Sequence, residues 1–495
     1  MLPTDFSSAC EQISLSLRDV RTRKELARSN LIPSIAYSLH TLMLPLSLIS
    51  AVPRICDQDF DSFDHEYLPS VGDCSTWSLE DTVNCSKDAC RVLRNICAGC
   101  EEAQERVGSS RCLQLLLTLL RICCSHQMKN SCSLDSLHML HRNCLQVIGN
   151  SVASHSENAK VVWALSWPSP LLSVIIDDST LELKTIALMI IYNCLLKSPM
   201  HLREFANSEE CALALDRMLR IVYRTSPGPL SESEVQRLKE VTEWTELIVK
   251  LLVVNGYFVP IHQRISIRKT PEEVESSETV LLYLIEDLIK EGLEESPTSK
   301  FGLKLTEADC AYIAHEFSLI LAICKESAFR SIHVQDLSSS NIVSRLMQFI
   351  ELISTVTTDS GVGIRRAMRE KGLLAHVVDL LKSVQAAIPS SPTKLAHKVA
   401  PDVKEIKEDS RPHPLQGRGL KRDLVRVIAN MCYQDRASQD AVRELGGIPL
   451  VLSSTCIDEN NPYSREWGVV AIRNLCENNL ENQQVPKGCS TSAIC

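Results

Sequence analysis

Two groups of cysteine and histidine side chains have the types and spacing that could bind a metal or carry redox chemistry. Cys97 and Cys100 form a C-x-x-C pair, which could be a redox dithiol or one half of a zinc site. A second group is dense but fits no standard metal-site spacing: Cys123, Cys124, His126, Cys132, His138 and His141. Cys97 has a simpler interpretation, because Cys432 and Cys476 also stand two residues after an asparagine in a repeated run. We therefore predict no metal site.

The motifs of common nucleotide-dependent and hydrolytic enzymes do not occur in the sequence. It contains no G-x-x-x-x-G-K-[ST], no G-x-S-x-G and no H-E-x-x-H. We therefore predict no catalytic residue, no cofactor and no enzymatic activity.

A single asparagine recurs inside an otherwise apolar run at five places, which we call the Asn ladder: Asn95, Asn150, Asn193, Asn430 and Asn474. A buried amide that finds no hydrogen-bond partner costs about 1–3 kcal/mol. In one interpretation these amides tie neighbouring repeats together. In the other they line a concave groove and grip the main chain of a bound peptide. Trp467 is a further candidate for a groove or inter-repeat residue. Arg94 and Arg473 stand directly before their asparagines and are either groove residues or ordinary exposed helix positions.

The elements that must position the Asn ladder follow from its spacing. An apolar residue comes about twelve residues after each asparagine: Val107, Val161, Phe205, Val442 and Val485. Further apolar helices start near Gln114, Pro168 and Pro449, while Asn150 to Asn193 spans 43 residues and Asn430 to Asn474 spans 44. A helical period of this length is typical of armadillo and HEAT repeats. We predict an all-α, armadillo/HEAT-like right-handed α-solenoid, a class that usually holds other proteins.

Composition and charge agree with this class. The 495 residues are 44% hydrophobic but only 5% aromatic, which suits stacked helices filled by aliphatic side chains. The net charge of −9 argues against binding to nucleic acid, so other proteins are the expected partners. The 21 cysteines occur in a long chain without a secretory signal in its first 28 residues. We interpret them as reduced, buried thiols of a cytoplasmic protein.

One segment is long and uncharged enough to raise the question of a membrane span. From Ser29 to Pro53 there is no Asp, Glu, Lys or Arg. Prolines interrupt this segment, and Ile32-Pro33 matches Ile448-Pro449 at the start of a repeat helix. We therefore expect a buried solenoid helix, kinked or ended at Pro45, and no membrane span.

The chain divides into segments of different character: N-terminal helices at 1–53, an acidic loop at 54–82, armadillo-like repeats at 83–205 with a polar break at 125–133, irregular helical repeats at 206–384, a Pro-rich linker or loop at 385–419, a C-terminal repeat domain at 420–485 and a non-helical tail at 486–495. Within the irregular part, the predicted helices are 211–224, 232–254, 277–291, 306–329, 341–356 and 363–384. The last of them contains Gly372-Leu373-Leu374-Ala375, a weak echo of Gly447-Ile448-Pro449-Leu450.

The C-terminal repeat domain resembles the C-terminal domain of the ataxin-10 family. The resemblance lies in Ile428-Ala429-Asn430-Met431-Cys432, in the turn Asn461-Pro462, and in Glu466-Trp467 followed by Ala471-Ile472-Arg473-Asn474-Leu475. It implies an armadillo-like, intracellular, non-catalytic protein with roles in protein–protein interaction, cytokinesis and neuronal survival. The sequence departs from the family after Gln483, where Pro486 and Gly488 are expected to end the helix, as in an alternative or truncated terminus.

Two further interpretations remain open. The apolar face of the predicted helix Arg465–Asn482 exceeds what one neighbouring repeat covers, so we expect self-association or a partner there. Regulation of a GTPase, or a transport-receptor-like groove for an extended peptide, are the alternatives to a scaffold.

Overall fold

The structure is a computed structural model that describes residues 2–50, 76–177, 179–222, 231–267, 277–294, 303–330, 341–358, 360–386, 419–456 and 461–488. Every regular element in these ranges is a helix, and none of the residues they contain lies in a strand. The predicted all-α, armadillo-like class is confirmed.

The helices are numbered in chain order: α1 Pro3–Ser16, α2 Val20–Arg28, α3 Leu31–Ser50, α4 Leu79–Cys97, α5 Glu101–Ser109, α6 Cys112–Cys124, α7 His126–Ser131, α8 Leu134–Val152, α9 Ser156–Ser166, α10 Leu171–Ile176, α11 Leu181–Leu196, α12 Pro199–Asn207, α13 Glu209–Val222, α14 Glu232–Val254, α15 Phe258–Ile267, α16 Ser277–Glu294, α17 Glu307–Arg330, α18 Asn341–Thr358, α19 Val362–Glu370, α20 Leu373–Ala386, α21 Leu420–Cys432, α22 Arg436–Glu444, α23 Gly447–Ser453, α24 Ser464–Cys476 and α25 Leu480–Gly488.

The chain forms two compact units, and the first contains residues Met1–Leu252. Its long helices α4, α8 and α11 pack side by side, and each is followed by a short helix and then another helix. The apolar sides of α3 and α6 pack against this row, with residues such as Leu39, Leu116 and Ile148 fully buried. The three-helix period predicted from the asparagine spacing is therefore present in this unit.

The second unit contains residues Val253–Cys495. Here α16, α18, α21 and α24 form the row of neighbouring long helices. The helices α17, α20 and α23 pack on α18, α21 and α24 respectively. Phe317, Phe349 and Leu424 are fully buried between these layers.

Side-chain caps explain where several repeat helices begin. The Ser78 hydroxyl accepts a hydrogen bond from the Asp81 amide at the start of α4. Thr180 caps α11 and Asp435 caps α22 in the same way. Such caps satisfy amides that have no partner inside the helix, and each is worth about 1 kcal/mol.

Several predicted boundaries differ from the structure. The acidic loop does not extend to residue 82, because the Ser78 cap starts α4 at Leu79; residues 51–75 lie outside the described residues. The polar break at 125–133 contains the short helix α7, which begins after the side-chain cap of Ser125. The first two residues of the predicted linker, 385 and 386, end α20, and its residues 387–418 are not described. The predicted non-helical tail begins too early, because α25 continues through Pro486 to Gly488; residues 489–495 are not described.

Glycine at positive φ divides the predicted helix 363–384 into α19 and α20. Gly372 has a φ of +78° and Gly446, between α22 and α23, has a φ of +72°. Both stand two residues after the end of a helix, a position that favours glycine because a Cβ is strained there. The predicted match of Gly372 to Gly447 is therefore wrong by one residue. Gly372 corresponds to Gly446, because each stands directly before the next helix.

The uncharged segment near the N-terminus forms α3, which continues past Pro45 to Ser50. The helix does not end at Pro45 as one alternative expected. Its residues Leu31, Ile35 and Leu42 are fully buried. In the described part of the chain no single helix is long and apolar enough to cross a membrane, although the bent pair α5–α6 passes that test by length and composition.

Candidate functional site: the faces of the long repeat helices

Two members of the Asn ladder make the same bond in different units. In the first unit, Asn150 Nδ2 donates to the main-chain oxygen of Arg94 at 3.0 Å. In the second, Asn474 Nδ2 donates to that of Ala429 at 2.9 Å. Both acceptors are the fourth residue from the end of their helix, α4 or α21. The last four carbonyls of a helix have no partner within it, so each asparagine joins two repeats and satisfies such a carbonyl.

The other ladder members behave differently. Asn430 Nδ2 donates to the main-chain oxygen of Ser354 on α18 at 3.2 Å, which again links neighbouring repeats. Asn193 does not: its Nδ2 turns back to the oxygen of Met189 in its own helix at 2.9 Å. The Met189 side chain fills the space beside Gly149, the residue that corresponds to Arg94 and Ala429. Asn95 accepts two hydrogen bonds from the Arg94 guanidinium through Oδ1.

A second row of buried polar side chains was missed by the sequence analysis. It follows each ladder asparagine by eight or nine residues, and we call it the second polar row: Gln104, Asn158, His201, Gln439 and Asn482. Each side chain contacts the main-chain oxygen seven residues earlier, at distances from 2.8 to 3.4 Å. These oxygens also lie in the last turn of a long helix or at its end, so the second polar row closes helix ends.

The second polar row also links repeats. Asn158 Nδ2 donates to the main-chain oxygen of Gln104 at 2.7 Å. Asn482 Nδ2 donates to that of Gln439 at 3.2 Å, which is the same relation one unit later. Gln439 Nε2 additionally reaches the main-chain oxygen of Asn474 at 2.8 Å. The two polar rows therefore tie the same pairs of repeats in parallel.

The sequence contains a pattern for the second polar row and for a further inter-repeat hydrogen bond on the long helix α8. A polar residue stands three to four positions before the apolar residue of most short helices, as Gln104 does before Val107 and Gln439 before Val442. On α8, Asn143 precedes Asn150 by seven residues and donates to the main-chain oxygen of Lys87, seven residues before Arg94. A helix places residues seven apart on one face, so a second amide at that spacing indicates a second inter-repeat bond.

The charged and aromatic candidates take different positions. Arg94 is partly buried, and its Nη1 donates to Asn143 Oδ1 and Gln146 Oε1 on the next long helix at 3.2 and 3.1 Å. Arg473 is exposed. The Arg426 guanidinium lies over the Trp467 ring, 5.3 Å from its centre, which is cation–π geometry between α21 and α24.

The cysteines are mostly buried, and burial changes their chemistry. Cys97 and Cys432 are fully buried in the repeat core, and burial raises the pKa of both thiols far above the usual range. Within the dense Cys/His group, Cys124 Sγ lies 3.8 Å from His141 Nε2. Among residues whose side chains are placed, no three His, Cys, Asp or Glu come together to hold a metal ion.

The C-terminal repeats match a known family. The family described as "Spinocerebellar ataxia type 10 protein domain" matches residues 420–494, which include α21–α25. A protein named Ataxin-10 from Xenopus tropicalis is 26% identical over 401 residues, covering 80% of this chain and 73% of that protein. An Ataxin-10 homolog from Dictyostelium discoideum is 51% identical over 70 residues, which are 14% of this chain and 12% of that protein. The resemblance predicted from the C-terminal runs is confirmed.

A designed armadillo repeat protein in complex with the peptide (KR)4 is similar in structure, with 12% sequence identity and a TM-score of 0.25. The likeness covers 73% of this chain and 99% of that chain. At this score it carries no weight for function, and the fold class stands on the helix packing described above.

Proposed function

We propose that this chain, which is related to the ataxin-10 proteins over about four fifths of its length, is a scaffold or adaptor that binds other proteins and catalyses no reaction itself. Its action in the cytoplasm, and in cell division, signalling or cell survival, is part of the proposal and follows from the family resemblance.

The parallel ties between repeats carry this proposal. Asn150 and Asn158 join one pair of repeats in the first unit, and Asn474 and Asn482 join another in the second. Because the ties end on main-chain oxygens, they hold the neighbouring long helices at a defined register. Side chains on the outward faces of these helices are then displayed at fixed spacing, which lowers the entropic cost of binding an extended partner.

The last repeat supports a second contact surface. On α24, Val469 is 57% exposed and Val470 is 39% exposed, whereas Leu475 of the same helix is fully buried. The predicted continuous helix Arg465–Asn482 is divided into α24 and α25, with Asn478 at a φ of +54° between them. We propose that the exposed valines bind a second copy of the chain or a partner protein.

The experiment is cross-linking of the tagged full-length chain in cells, followed by mass spectrometry. We expect a reproducible set of proteins cross-linked to residues on α4, α8, α21 or α24. Enrichment of no protein over a tagged control would overturn the scaffold. Captured GTPases would then be tested for nucleotide exchange with the purified chain, because an accelerated exchange would replace the scaffold by the GTPase-regulator alternative.

A further inference from the structure

We propose that the cluster of Arg91, Arg94 and Arg142 on the first unit binds an extended segment of a partner protein that carries acidic side chains; this inference rests on the proposed function. The ligand expected on this face of α4 and α8 is therefore a negatively charged peptide segment.

The hydrogen bonds of Arg94 hold its guanidinium in place without neutralising it. Its Nε and Nη2 donate to Asn95 Oδ1 at 3.0 and 2.9 Å, and its Nη1 donates to the side-chain oxygens of Asn143 and Gln146. All of these acceptors are uncharged amides. The positive charge is therefore oriented by the protein and remains available to a carboxylate from outside.

The neighbouring cations reinforce this charge. Burial lowers the pKa of the Arg94 guanidinium below its usual value, and repulsion from Arg142 and Arg91 lowers it further. The Lys87 ammonium, two helical turns before Arg94, also donates to a neutral acceptor, Asn84 Oδ1 at 2.7 Å. A carboxylate bound among these groups would relieve their mutual repulsion.

Acidic residues nearby do not cancel the cluster. Arg91 lies 3.4 Å from Asp88, but the Arg91 side chain remains 34% exposed. Arg142 contacts Glu182 at 2.8 Å, and Glu182 is shared with Arg237 at 3.1 Å and with His138 at 3.7 Å. Arg237 also pairs with Glu240 at 3.0 Å, whereas Arg94 contacts no carboxylate within the described residues, so the charge of Arg94 is the one left uncompensated in the cluster.

Asn95 indicates that the acidic ligand is a peptide. Its Oδ1 is used by Arg94, while within the described residues its Nδ2 has no hydrogen-bond partner, and the side chain is partly exposed. An amide N–H beside a guanidinium matches a main-chain oxygen next to a carboxylate side chain. The net charge of −9 disfavours the other polyanion, a nucleic acid.

The test uses the full-length chain and a fluorescein-labelled peptide of alternating Glu and Ser, with an alternating Gln and Ser peptide as the neutral probe. We expect fluorescence anisotropy to show binding of the acidic peptide only, weakened at least tenfold in Arg91→Gln/Arg94→Gln. Arg203→Gln, which removes an exposed charge from α12, should leave the affinity unchanged. Because Arg94 also contacts α8, the single variant Arg91→Gln, with an unchanged circular dichroism melt, should still weaken binding several-fold.

Three results of the binding assay would overturn the inference: equal affinity of the cluster variants and the unmodified chain, equal binding of the neutral peptide, or tighter binding of a single-stranded oligonucleotide of the same charge. If the cluster variants lose no cross-linked partner in cells, the acidic-segment inference fails while the scaffold stands. If the unmodified chain captures no partner, the scaffold itself fails, whatever the peptides do.

Discussion

Replacing Asn158 by alanine should destabilise the first unit by about 2–3 kcal/mol. Asn158 is 2% exposed, and its Nδ2 donates to the main-chain oxygens of Gln104 at 2.7 Å and Ser151 at 3.0 Å. A neutral hydrogen bond contributes about 1 kcal/mol net, and a buried acceptor left unpaired costs about 1–3 kcal/mol. Because the site is buried, water cannot replace the lost donor, so the lost hydrogen bonds and the unpaired acceptors should both lower the free energy of unfolding.

Asn193→Ala is the control, because it removes an asparagine of the same unit whose Nδ2 bonds to the main chain of its own helix, α11. Alanine is the better helix former, so this change should stay within about 0.5 kcal/mol of zero. Asn158→Asp should be worse than Asn158→Ala, because a carboxylate would face two carbonyl oxygens at buried positions.

Urea unfolding of the full-length chain, followed by circular dichroism, measures the free energy of unfolding, and the slope with urea should remain unchanged. Hydrogen exchange read by mass spectrometry localises the effect, with faster exchange expected in α5 and α8. If Asn158→Ala unfolds at the same urea concentration as Asn193→Ala, the buried amide does not tie the repeats energetically and the reasoning is refuted.

Further changes test the packing, the titration and the exposed end of the chain. Gly108→Ala should destabilise the chain by about 1–3 kcal/mol despite the helix propensity of alanine, because the new Cβ would lie 2.0 Å from Asn158 Oδ1; a more stable variant in urea would contradict this. Burial lowers the pKa of His141 to about 4, below its usual 6.5, so the unfolded chain binds more protons and stability should fall as the pH drops from 6.5 towards 4. His141→Leu should remove up to about 3 kcal/mol of that loss, and an unchanged pH dependence of urea unfolding would refute the assignment. Val469→Lys/Val470→Lys should weaken concentration-dependent self-association in sedimentation, whereas an unmodified chain that stays monomeric at high concentration would exclude it.

The ladder helices could be predicted because type and spacing recur together. Asn430 and Asn474 stand in nearly identical apolar runs 44 residues apart, and the helices α21 and α24 follow that pattern. The hydrogen-bond acceptor of each asparagine could not be predicted from type and spacing. Asn150 and Asn193 have similar neighbours in the sequence, yet only Asn150 reaches the preceding repeat. The difference depends on how closely α11 approaches Gly149, which the spacing alone does not determine.

The helix α15 and the second polar row were missed for reasons that can be stated physically. The helix α15 carries Pro260 near its start and follows Gly256 at a φ of +81°, so the segment has the signals of a turn. Proline is tolerated there because the first amides of a helix need no internal acceptor. The second polar row was missed because its residue type varies among Gln104, Asn158 and His201, which leaves no repeated letter to follow.

The inter-repeat bond of the Asn ladder has a consequence for how this sequence tolerates change. Its acceptor is a main-chain oxygen, which every residue supplies, so Arg94 and Ala429 serve equally although their side chains have nothing in common. A substitution at the acceptor position should therefore weaken the inter-repeat hydrogen bond very little. Inserting or deleting one residue in the last turn of α4 or α21 is not, because it rotates the carbonyl by about 100° away from the donor. The number of residues in the last turn of these helices therefore matters more for the inter-repeat bond than which residues they are.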